Sequence, residues 1–101
     1  MPKGKRKIAP PVHPGEILRE EFLVPLGMSA RQLADKLRVP ANRMSEIARE
    51  HRAITADTAI RLARFFGTTP QFWLNAQTAH DLSKAESEID YSDIPSAAGA
   101  R

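Results

Sequence analysis

Between Pro40 and Glu50 the polar residues recur at helical spacing, so that Ala41, Asn42, Ser45, Glu46 and Arg49 fall on one edge, opposite Met44 and Ile47, with Arg43 on the flank. These side chains match the edges of base pairs. An Asn amide pairs with adenine, a guanidinium with guanine, a carboxylate accepts from cytosine, and an Ala methyl meets the thymine methyl. Ser29, Arg31 and Gln32 open the preceding helix, where unpaired backbone amides and the helix dipole favour a phosphate. Arg38 and Pro40 lie between the two helices, with Arg38 in reach of a further phosphate. On an isolated helix the same charges would be a solvated face, with Glu46 paired to Arg43 or Arg49.

Other chemistries lack their residues. His13, His51 and His80 are scattered, without a His-x-x-x-His spacing, and there is no cysteine, so neither a metal nor a cofactor is expected. Glu20 and Glu21 are adjacent and face different directions on a helix, which suits no carboxylate pair of glycoside hydrolysis. Without a Gly-rich phosphate loop or a nucleophile elbow, neither an enzyme nor a small-molecule substrate is expected. His51 beside Arg49 and Arg52 is the nearest approach to a ribonuclease.

The elements that position the polar edge follow from punctuation. With 101 residues the chain holds one small domain, and without cysteine only apolar burial can hold it together. No apolar run is long enough for a membrane span, and none follows the basic first residues as a secretory signal would, so a cytoplasmic protein is expected. The net charge of +3 hides a gradient: residues 1–82 carry 13 cations against 8 carboxylates, and residues 83–101 carry 2 against 4. A basic folded part suits a polyanionic partner. Residues 1–12, with Lys3, Lys5, Arg6 and Lys7 among prolines, read as a flexible arm that can follow a DNA backbone or enter a minor groove. Residues 83–101 read as a flexible acidic tail.

Residues 13–82 read as five short helices and the fold as all-α. The first opens at Pro14, buries Ile17, Leu18 and Phe22, and is expected to end before Pro25 and Gly27. Ser29 and Gln32 form a capping box for the second, whose inner face is Leu33, Ala34 and Leu37. Pro40 starts the third, Thr55 caps the fourth, which Gly67 closes, and Thr69-Pro70 opens the fifth. The fifth carries Phe72, Trp73, Ala76, Ala79 and Leu82 on its apolar side. Phe65, Phe66, Phe72 and Trp73 sit at helical spacing among aliphatic residues, as core or interface rather than as a base-stacking platform.

Only Arg38 and Val39 separate the second and third helices, which therefore meet at a steep angle with Ala34 at the closest approach. The stretch from Ser29 to Ile47 resembles the helix-turn-helix of the lambda-repressor-like (XRE) superfamily. Members commonly place Gly where this chain has Arg38, so the turn is expected to differ locally for want of a left-handed residue. Three further segments, His13-Pro14-Gly15-Glu16-Ile17-Leu18, Arg52 to Ala59 and Thr69-Pro70-Gln71-Phe72-Trp73-Leu74-Asn75, are similar to the HigA-type antitoxin family, so that the resemblance covers residues 13–82. It implies a dimeric DNA-binding protein that represses its own operon and neutralises a HigB-type, ribosome-dependent mRNA endoribonuclease. A stand-alone XRE regulator without a toxin partner is the alternative.

A core of this size also gains stability from self-association, and Phe66, Phe72, Trp73, Ala76 and Leu82 are the expected homodimer interface. That dimer would hold its two third helices about 34 Å apart, for successive major grooves. The toxin surface is left among the exposed parts of the first helix, the fourth helix and the acidic tail.

Overall fold

The computed structural model describes residues 11–98, which form five helices and no strand among them. The first, α1, is one rod in three stretches: α-helical Pro14–Ile17, π-helical Leu18–Leu23 and α-helical Val24–Leu26. It thus runs through Pro25 instead of ending before it. A proline in a regular α-helix clashes with the carbonyl four residues back. Here the preceding turn is widened, with the Val24 amide donating to the Arg19 carbonyl five residues back, and the wider turn gives the ring its space. Gly27, at a φ of 62°, then closes the rod.

The second helix, α2 (Ala30–Leu37), begins with the expected capping box: the Gln32 amide donates to Ser29 Oγ at 3.0 Å, and the Ser29 amide to Gln32 Oε1 at 2.8 Å. The turn after it is not lost. Arg38 itself takes the left-handed conformation, at a φ of 62°, and Val39 N–H closes onto the Ala34 carbonyl at 3.1 Å. Arginine pays about 1–2 kcal/mol for a backbone that glycine adopts freely.

The third helix, α3 (Ala41–Ala48), follows Pro40 and ends through Glu50, also left-handed at a φ of 68°. In α4 (Ala56–Phe66), Thr55 holds the N-cap position, but its hydroxyl turns to the Thr58 hydroxyl and bonds no backbone amide. In α5 (Pro70–Glu88), Thr69 Oγ1 accepts from the Phe72 amide at 3.1 Å. This last helix continues past Leu82, where an acidic tail was expected to begin. Its extra turns use good helix formers, and Lys84 pairs with Glu88 at 3.3 Å one turn on.

Leu18, Leu33, Met44, Ile47, Leu62 and Trp73 are fully buried and draw on all five helices. Trp73 lies inside its own chain's core, its indole N–H on Thr68 Oγ1 at 2.8 Å, so it presents no surface to a second copy, contrary to the expectation from its helical position. The ring of Phe22 joins it, 5.1 Å from Trp73 and 4.7 Å from Phe66. Of the other residues expected at an interface, Phe72 and Leu82 are exposed and Phe66 and Ala76 half-buried. No helix among the described residues is long and apolar enough to cross a membrane.

Candidate nucleic-acid interface

Burial sorts the residues of α3 as the spacing requires. Met44, Ile47 and Ala48 face inward, Asn42 and Arg49 are exposed, and Ala41, Ser45 and Glu46 are half-buried along the rim. The polar edge of α3 is therefore outside the core. Ala34, with no exposed surface, lets α2 and α3 approach closely behind it. Ser29, Arg31, Gln32, Arg38 and Pro40 are exposed on the α2 side, with the side chains of Ser29 and Gln32 engaged in the cap. Lys3, Lys5, Arg6 and Lys7 of the basic arm lie outside the described residues.

Two of the expected partnerships differ. Glu46 pairs with Arg52, at 3.6 Å, and not with Arg43 or Arg49. Arg43 is drawn back toward α4, donating to Asp57 at 2.6 Å and to Thr58 Oγ1 at 3.4 Å. Arg49 thus stays exposed on the polar edge, whereas Arg43 ties α3 to α4. Asp57 also accepts from Arg61 at 3.0 Å, and the hydrogen bond from Arg43 first, with that from Arg61 second, holds its carboxyl below the usual range. Arg61 in turn donates to the Leu37 carbonyl at 2.8 Å and caps the C-terminus of α2. One carboxylate on α4 therefore joins the end of α2 to the start of α3.

The far end of α3 is held by α1. Arg19 donates to the Ala48 carbonyl and pairs with Glu50 at 3.2 Å, placing a cation at the negative end of the helix. Gly15 lies so close that a Cβ there would stand 1.8 Å from the Ile47 carbonyl oxygen. The cap of α1 is His13, 8% exposed, whose Nδ1 accepts from the Gly15 amide at 2.8 Å while its ring meets the edge of His80 at 4.9 Å. Burial, and secondarily His80, pushes the His13 pKa down, against Glu50 and Asp81, which raise it. Gln77 completes the frame from α5, accepting from the Ile54 amide at 2.7 Å and donating to Asp81 at 2.9 Å.

The sequence reading missed Arg19, Asp57, Arg61 and Gln77. Asp57 and Arg61 carried a visible sign in their one-turn spacing. The others act on backbone groups distant in the chain, which no local pattern announces.

The helix-turn-helix family matches residues 18–73. Virulence-associated protein I of Dichelobacter nodosus is 57% identical over 88 residues, 87% of this chain and 81% of that one. Antitoxin HigA-1 of Vibrio cholerae is 44% identical over 82 residues, 81% of this chain and 74% of its own. Among solved structures, the Pseudomonas aeruginosa antitoxin HigA with the higBA promoter superposes with a TM-score of 0.73 at 46% identity, covering 80% of this chain and 97% of that one. The polar edge of α3 and these likenesses agree: the chain belongs to the lambda-repressor-like helix-turn-helix family, in the branch that holds the HigA-type antitoxins.

Proposed function

We propose that this chain is the antitoxin of a type II toxin–antitoxin module, a cytoplasmic homodimer that represses its own operon and neutralises a HigB-type mRNA endoribonuclease. The observation that carries the DNA half is the outward polar edge of α3, pinned at both ends by Arg43–Asp57 and Arg19–Glu50. Asn42 and Arg49 read bases, with Ala41, Ser45 and Glu46 beside them in the major groove. Ser29, Arg31, Gln32, Arg38 and Pro40 meet the phosphate backbone and set the register without reading sequence. Arg43 holds α3 in place, and reaches a base only if it leaves Asp57. Phe66, Phe72, Ala76 and Leu82 join the two copies. Support for the toxin half comes from the relatives named as HigA antitoxins.

Gel shifts on DNA from upstream of the gene test the first half. Asn42→Ala and Arg49→Ala, each verified as folded, are expected to lose about 1–3 kcal/mol of discrimination apiece. Folded variants that bind as tightly and selectively as the parent would refute the docking of α3. Capture of a small basic endoribonuclease tests the second half. A clean DNA-binding protein with no such partner would be a stand-alone regulator.

A further inference from the structure

Two uncovered surfaces of this chain are apolar at their centres and opposite in charge. One is an open groove of about 360 Å³ between the end of α2 and the outer face of α4, floored by Ile60 and Phe65 and rimmed by Lys36, Arg38 and Arg64. Ile60 is 51% and Phe65 39% exposed. The other is the outer end of α5 with the segment that follows it. Past Asp81 every large apolar side chain is exposed: Leu82, Ile89, Tyr91 and Ile94 range from 45% to 67%. Around them stand Glu86, Glu88, Asp90 and Asp93, with no cation anywhere from 85 to 95. Exposed apolar side chains concentrated in so short a segment mark it as a candidate interaction surface.

Both surfaces are exposed within one copy, so neither covers the other in the chain itself, and their opposite charges suit a second copy as the partner. The inner turns of α5 are tied down by Trp73, Gln77 and His80, whereas no side chain beyond Asp81 is buried. The outer turns project.

We infer that the acidic, apolar end of one copy, Leu82 to Ile94, lies in the basic-rimmed groove at Ile60 and Phe65 of a second copy. The inference rests on the dimer of the proposed function and gives it an exchanged contact, which two-fold symmetry makes twice. Ile89, Tyr91 and Ile94 cover the apolar floor, and the carboxylates between them meet Lys36 and Arg64. Phe72 and the inner part of α5 keep their place in the central interface.

The chain has no cysteine, so introduced thiols report on this contact alone. Full-length Ile60→Cys and Tyr91→Cys are mixed and oxidised gently, with sedimentation run alongside. The mixture is expected to give a covalent heterodimer, and neither variant by itself is expected to cross-link. Adding Arg64→Glu to the first variant is expected to cut the yield about two- to fivefold, the effect of one surface ion pair, since in the mixed dimer only the cross-linked contact carries the change. Glu86→Lys with Asp90→Lys on the second variant restores it. A dimer that never cross-links overturns this contact while leaving the dimer intact, and a monomeric chain overturns both. A double variant that cross-links within one dilute chain would place the segment in its own groove, and also overturns the exchange.

Discussion

Replacing Arg38 by Gly is expected to make the protein more stable and a weaker DNA binder at once. The backbone at this position is left-handed, at a φ of 62°, and the side chain is exposed. Relief of that conformation is worth about 1–2 kcal/mol, from which the greater freedom of Gly in the unfolded chain removes about 0.5–1 kcal/mol. The net gain, about 0.75 kcal/mol at the middle of these ranges, corresponds to a rise in Tm of about 3–6 °C in a domain of this size. On DNA, the lost phosphate contact counts twice in a dimer and lowers the log–log salt slope by about 1.8. Arg38→Ala separates the two effects, since it loses the charge and keeps the conformation: its salt slope falls equally, but its Tm does not rise. Melting curves without DNA and binding isotherms over a salt series measure both. A Gly variant melting at or below the parent would refute the reasoning about the turn, and an unchanged slope would remove Arg38 from the phosphate backbone.

Two other perturbations test the frame behind α3. Gly15→Ala forces a Cβ against the Ile47 carbonyl, whose carbon as well as oxygen lies within 2.9 Å, so backbone must move; a loss of about 1–3 kcal/mol in denaturant unfolding is expected, and a variant of parental stability would rule out so close an approach. His13 caps α1 as the neutral imidazole, and burial first, then His80, lowers its pKa. Its contribution is therefore complete above the unfolded value of about 6.5 and is lost as pH falls from there toward the native value. Melting temperatures followed from pH 8 to pH 5 should decline for the parent and less steeply for His13→Asn, which retains an acceptor for the cap; an equally steep decline would move the effect to another group.

The helices were legible because their signals are local. The Ser29–Gln32 box, the prolines at helix starts and the 3.6-residue apolar spacing each act within a turn or two of themselves. Where competing terms were local but unequal, the reading slipped. Pro25 looked like a terminator because nothing in the composition announces a widened turn before it. Arg38 looked unable to make a left-handed turn because its strain was weighed without Val39 beside it, which packs against the core and bonds the Ala34 carbonyl. The acidic composition after Leu82 masked a helix that Ala85 and the Lys84–Glu88 pair sustain. At the interface, the outward edge of α3 followed from periodicity alone. The retreat of Arg43 to Asp57 did not, because it depends on where α4 comes to rest, 14 residues further along.

The contact of Gly15 with the Ile47 carbonyl leaves no slack between the first rod and the last turn of the reading rod. With the Arg19 guanidinium bonded to the neighbouring carbonyl, α1 and the end of α3 are joined at two points. A partner that displaced α1 would then be expected to shift the side chains that α3 presents, and by reciprocity whatever held those side chains would resist the displacement by the same free energy.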